Sequence, residues 1–284
     1  MVRIITDSTN DLTKELLDKM GVTVLPLYVN FGVESYKDGV EINTEKLYEM
    51  VKEKNELPKT AAVSVSDFIT CFKEIIDNGD EIVFTGISSE MSTTYNNAKM
   101  AASELEAEDK IFVVDSRNLS TGIGLLILKA VKDRNKGLSA KEIADNMEKN
   151  TKLVLSQFAI EQMDYLHKGG RCSGVAAFAA SLLRIKPIIE VRNGKMDVQA
   201  KPIGKIKVAL DRMFNQLVLD KDRLDTDHIL LTHSIAPESA AYLTEKIKAE
   251  FPKVDLIETI AGCVISSHCG PGTIGILYMI KEDK

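Results

Sequence analysis

Nowhere in the 284 residues is there a GxxxxGKS/T loop, a GxGxxG turn behind a strand or an HExxH motif. The chain therefore has no recognisable device for gripping ATP, a dinucleotide or a catalytic zinc. Any phosphate chemistry it takes part in must be borrowed. Long apolar runs are missing too, none approaching the roughly 20 residues that span a bilayer. Met1-Val2-Arg3 leads directly into the strand-like Ile4-Ile5-Thr6 instead of a signal peptide. The expectation is a cytoplasmic protein without stable membrane insertion. Basic residues are not in excess: Lys and Arg number 36 against 42 Asp and Glu, a net charge of -6. That balance is wrong for a nucleic-acid binder and unfavourable for docking on anionic membranes. Cysteine is scarce, and Cys71, Cys172, Cys263 and Cys269 form neither a CxxC pair nor a dense framework. Reduced thiols and no metal site are expected.

What is present is ordinary for a folded protein, with 44% hydrophobic and 27% charged residues, and the length suffices for a core that encloses a cavity. The first half alternates β-branched runs at 3–6, 22–29, 81–85 and 110–115 with helical stretches around 13–20 and 44–52. This pattern predicts a parallel sheet covered by helices, with its functional loops beyond the carboxyl ends of the strands. Those loops are Asp7-Ser8-Thr9, residues 85–94 and residues 115–124. After a helical stretch at 141–151 come extended runs at 154–160, 186–192 and 196–200, the last two joined by Asn193-Gly194. Asn-Gly between extended runs is a hairpin signal, so this half should hold antiparallel strands. A small-residue helix is expected over 174–183. The fold class is thus α/β with two domains: residues 1–152 with a parallel sheet and hydroxyl-rich loops, and residues 153–284 with a mixed or antiparallel sheet.

Several segments could carry chemistry. Asp7-Ser8-Thr9-Asn10-Asp11 follows a strand and opens a helix, where backbone amides either hold an anion or are capped by the side chains themselves. In the run Lys59 to Phe68, Ser66 looks like a helix cap and Thr60 is freer to face a ligand. Ser88-Ser89-Glu90-Met91-Ser92-Thr93-Thr94-Tyr95 gathers more hydroxyls than one cap requires, and hydroxyls hold an oxyanion without adding charge. The same segment also reads as a plain serine-rich turn. Gly169-Gly170-Arg171 lets the backbone approach a ligand and offers bidentate donors to carboxylate or phosphate, unless the arginine pairs with Asp164. His268, in a glycine-rich run before the last apolar strand, could donate a proton to an anionic head group or be structural. Cys172 and Cys269 are read as small buried residues.

Taken in order, Ile5-Thr6-Asp7-Ser8-Thr9-Asn10-Asp11-Leu12, Tyr36-Lys37-Asp38-Gly39, Lys59-Thr60, Gly86-Ile87-Ser88, Val114-Asp115-Ser116, Leu166-His167-Lys168-Gly169-Gly170-Arg171, Ile185-Lys186-Pro187-Ile188 and His268-Cys269-Gly270-Pro271-Gly272 resemble the DegV family. Members of that family are the fatty-acid-binding subunits of bacterial fatty acid kinase systems. The resemblance implies a carrier with no catalytic residues, no metal and no cofactor beyond a bound long-chain fatty acid. It would present the carboxylate to a separate kinase catalytic subunit that makes acyl phosphate from ATP for phospholipid synthesis. Carried over by position, Thr60 and Ser92 are implied as carboxylate ligands with Arg171 and His268 beside the head group, and Ser64, Thr93 and Gly170 are secondary candidates. Where the family commonly reads TSQPS this chain has Thr60-Ala61-Ala62-Val63-Ser64, and for LSGTY it has Met91-Ser92-Thr93-Thr94-Tyr95, so the acid preferred stays open. Two rivals remain: a binding protein for another amphiphile or small acid, and a hydrolase or acyltransferase with Cys269 or Ser92 as nucleophile and His268 as base.

Overall fold

A computed structural model describes residues 1–172 and 185–282; the helix expected over 174–183 lies outside the described residues. Strands β1 (Val2–Asp7), β2 (Val22–Leu25), β6 (Glu81–Gly86) and β7 (Ile111–Asp115) form a four-stranded sheet in the order β2-β1-β6-β7. Every pairing in it is parallel, as the alternation of strand-like and helix-like runs predicted. The run expected as one strand over 22–29 is divided. Pro26 has no N–H to continue the ladder, and the N–H of Leu27 is taken instead by Ser8 Oγ at 3.1 Å. The chain then enters a small antiparallel sheet, β4-β3-β5, made of β3 (Tyr28–Phe31), β4 (Glu34–Lys37) and β5 (Lys59–Ala61).

The second half builds a six-stranded mixed sheet, β10-β9-β8-β13-β11-β12, from β8 (Val154–Ala159), β9 (Ile188–Arg192), β10 (Lys195–Ala200), β11 (Leu224–His233), β12 (Asp255–Ile260) and β13 (Ile274–Ile280). All its pairings are antiparallel except β11 with β12. The hairpin β9–β10 turns at Asn193-Gly194, with φ of 50° and 80°, the left-handed pair that a two-residue turn between twisted strands requires.

Helix α5 (Thr121–Asn135) lies between the two large sheets, touching β1 and β6 on one side and β8, β11 and β13 on the other. Its Ile123, Leu126 and Ile127 join Ile4 and Val83 of the first sheet and Leu230 and Leu277 of the second in one core. Glycine makes this approach possible, because a Cβ on Gly122 would lie 2.1 Å from Asn118 Oδ1 and one on Gly124 2.8 Å from Leu12 Cδ2. On the far side of the first sheet, α3 (Val65–Asp77) and α4 (Thr94–Glu104) cover Phe68, Phe72 and Phe84. On the far side of the second, α8 (Ile206–Leu219) and α9 (Pro237–Glu250) cover Ile229, Leu231 and Ile276. The remaining described helices are α1 (Lys14–Met20), α2 (Thr44–Lys54), α6 (Ala140–Thr151), α7 (Met163–Gly169) and α10 (Cys263–Cys269). None of the described helices is long and apolar enough to cross a membrane.

Candidate functional site

The loops expected to act begin as helix-start chemistry. Asp7 caps the 3-10 turn Ser8–Asn10, its carboxylate accepting from Thr9 N and, across the sheet, from Ile87 N at 2.8 Å. The amides considered for an anion are therefore held by the chain's own aspartate. Ser66 is not the cap of α3; Ser64 is, in a reciprocal pair with Asp67. A serine followed three residues later by a carboxylate satisfies two free amides at once, and Ser66, two residues on, is already inside the helix. Ser64 is exposed and does not line the cavity described below.

Helix α10 is fixed by two carboxylates from the first half of the chain. Cys263 N and Val264 N donate to Asp38 at 2.8 and 3.3 Å, and Gly262 N donates to Asp11 at 2.8 Å. Ser8 and Ser120 hydroxyls complete the same two carboxylates. Burial pushes the Asp11 carboxyl up to about 8 and Asp7 to about 6, while their hydrogen bonds pull the other way, and Asp38 is raised for the same reason. Anchored so, α10 brings Val264, Ile265 and His268, with Ala261 just ahead of the helix, to the wall of a cavity of about 440 Å³, a size suited to a small organic ligand.

The cavity lies where both halves of the chain meet. Its apolar wall includes Ile87, Met91, Leu119, Phe158, Leu166, Met196 and Leu277. Thr60, Ser92, Thr93, Arg171 and His268 also line it, and the charge of Arg171 is felt at His268. Thr60 Oγ1 and His268 Nε2 share a hydrogen bond of 2.8 Å. Ser92 Oγ lies 2.9 Å from Thr94 Oγ1, and Thr93 starts α4 without a side-chain capping bond. The Arg171 side chain is exposed and donates to the carbonyl of Gly169 at 2.9 Å, so the alternative pairing with Asp164 is not made.

His268 differs from its expected part as a proton donor near neutral pH. Burial first, then the positive charge of Arg171, hold its pKa down to about 4, so the ring is neutral at pH 7. Among the described residues its buried Nδ1 finds no partner; it faces Gly169, where a Cβ would come within 2.5 Å. Gly169 thus provides the close approach, whereas Gly170, at φ 67°, ends α7 and does not line the cavity. Cys172 and Cys269 are buried, as expected, and desolvation pushes the Cys269 thiol up to about 12.

Of the expected loops, residues 87–93 and Leu119-Ser120 reach the cavity. The sequence reading missed Phe158, Met196, Thr232, Ser234 and Thr273, which converge only when the mixed sheet forms. Gly275, a glycine inside an apolar strand, was the available signal, because such a glycine marks a close approach or an opening. Ser120 was also missed; it holds φ 52° and ψ -145°, a region that costs a non-glycine residue on the order of 1–3 kcal/mol. Among the described residues no group of His, Cys, Asp and Glu could hold a metal ion.

With this geometry in hand, the comparisons agree on one family. The family model described as "Uncharacterised protein, DegV family" matches residues 1–281. A DegV domain-containing protein of Clostridium perfringens is 34% identical over 280 residues, covering 98% of each chain. The solved structure of a DegV family protein from Thermus thermophilus, described for its fatty acid binding, aligns with a TM-score of 0.90 at 28% identity, over 98% of this chain and 99% of that one. A protein from Eubacterium ventriosum described as binding stearic acid aligns with a TM-score of 0.88 at 28% identity, over 99% of each. The chain belongs to the DegV family.

Proposed function

We propose that this protein is a fatty-acid carrier that buries the acyl tail in its cavity and holds the carboxylate beside Thr60, Ser92, Arg171 and His268. From there it would present the acid to a separate kinase subunit for conversion to acyl phosphate, in the cytoplasm. The observation that carries the reading is the cavity itself: largely apolar walls, with hydroxyls, a neutral imidazole and an arginine in its lining. At about 0.8 kcal/mol per buried methylene, a dozen methylenes contribute on the order of 10 kcal/mol, against about 1 for each head-group hydrogen bond. Tail burial sets affinity and the polar cluster sets register. When the His268 proton sits on Nε2 it donates to Thr60 Oγ1, which frees the threonine proton for the carboxylate.

The hydrolase reading finds weaker support. The imidazole pairs with Thr60, not with Ser92 or Cys269; its Nδ1 has no third group to orient it, and a base with pKa near 4 draws protons poorly at pH 7. Native mass spectrometry of freshly purified protein is the direct test. A stoichiometric long-chain fatty acid is the expected finding; a non-lipid small acid, or turnover of an ester without any retained lipid, would sink the proposal.

A further inference from the structure

Apart from Ser89 and Glu90, the polar side chains lining the cavity fall into two groups, and the proposed function assigns only one of them to the carboxylate. Ser120, Thr232, Ser234 and Thr273 form the second. His268 stands in the last turn of α10 at the first group, while Ala261, just ahead of the helix, donates its N–H to the carbonyl of His233, the residue between Thr232 and Ser234. The six residues from the cap Gly262 to His268, at 1.5 Å rise, put the groups on the order of 10 Å apart. The floor of the cavity changes character in step. Phe158, Gly275 and Thr232 are paired side by side across β8, β13 and β11, so the surface passes from an aromatic ring, over a residue with no side chain, to a hydroxyl.

The protons on this second wall can be counted. Thr232 Oγ1 lies 2.5 Å from Thr121 Oγ1 and 2.9 Å from Thr259 Oγ1, and these two contacts consume two of three hydroxyl protons. If both neighbours donate inward, the unspent proton is on Thr232, the member that lines the cavity. Next to it, the chain Tyr48 to Ser234 to Ser266 to the Ala261 carbonyl uses every proton and leaves Ser234 a lone pair. Thr273 spends its proton on the Cys269 carbonyl and Ser120 on Asp11. In that arrangement the wall offers one donor, several acceptors and no positive charge, which suits a neutral oxygen and is poor for a carboxylate.

We propose that Thr232 and Ser234 recognise an oxygen carried along the ligand's chain, and that the protein accepts fatty acids bearing a mid-chain hydroxyl or keto group. This rests on the fatty-acid reading above and names the class of acid. A water-filled wall satisfied by its own hydroxyls is the competing account.

Dissociation constants of the full chain, stripped of lipid, for octadecanoic acid and for octadecanoic acid with one hydroxyl at its tenth carbon decide between them. The hydroxy acid should bind about fivefold more tightly, the worth of one net hydrogen bond. That ratio should fall to about one in Thr232→Val and in Ser234→Ala, whereas Thr60→Val should weaken both acids together and leave the ratio standing. A hydroxy acid that binds wild type no more tightly than octadecanoic acid overturns the proposal, whatever the variants do. A ratio that survives both wall substitutions overturns it too. If neither acid binds, the fatty-acid reading itself fails; if octadecanoic acid binds and the preference is absent, only this inference does.

Discussion

In the proposed head-group site, Thr60 and His268 share one hydrogen bond. Replacing Thr60 with Val removes the donor and keeps the shape, so lipid retention should fall about fivefold, and Ser92→Ala should cost a similar factor while the fold persists. Lipid occupancy measured on parallel preparations checks both; a double variant that retains lipid like wild type refutes the assignment. His268 also carries a pH signature. Its folded-state pKa near 4 lies below the ordinary 6.5, so the native state disfavours the charged ring. The associated stability is present above pH 6.5 and is lost as pH falls toward 4, amounting to about 3 kcal/mol for a shift of this size. Unfolding by urea at pH 7 and pH 4 should show His268→Gln losing less stability over that interval than wild type. Equal losses would mean that the ring is solvated.

Among elements, α10 brings Val264, Ile265 and His268 to the cavity and depends on partners far away in sequence. Asp38→Ala would strand the amides of Cys263 and Val264 in a buried place, so stability should drop by about 2–4 kcal/mol and lipid retention should drop with it. Ser64→Ala, which removes the cap of α3 on the exposed side, should cost about 1 kcal/mol and leave retention alone. Denaturant midpoints and lipid content of the two variants separate a site helix from an ordinary one. This contrast also explains what could be read in advance. The parallel sheet, the Asn193-Gly194 hairpin and the hydroxyl loop at 88–94 follow from local pattern, and the structure has all three. The division of 22–29 at Pro26 was legible but overlooked. Thr232, Ser234 and Phe158 were not legible, since each sits in an unremarkable strand and acquires meaning only from its cross-strand neighbours. Nor could sequence reveal that burial would keep His268 neutral.

For the molecule as a whole, we propose that the boundary near Lys152 separates two layers sharing the core around α5 more than two units that fold alone. The cavity between them is where a carrier would meet its kinase, and the net charge of -6 makes the local cation matter. Arg171 is exposed and lines the cavity. A guanidinium fork matches a phosphate better than it matches one carboxylate oxygen, and lysine keeps the charge without the fork. Phosphorylation turns a singly charged carboxylate into a more highly charged acyl phosphate, so a cation fixed at this position stabilises the product side preferentially. Affinity for the acid, by contrast, comes mainly from the tail. Arg171→Ala should therefore retain most of its lipid yet support slow ATP-dependent phosphorylation when a fatty acid kinase subunit is added, and Arg171→Lys should recover part of the rate. The carrier without that subunit should hydrolyse no ATP, because it lacks a nucleotide-binding loop. Occupancy and turnover measured on the same preparations decide the matter. Parallel loss of both in Arg171→Ala, or loss of neither, would assign the residue to structure or to kinase docking and remove it from the transfer step.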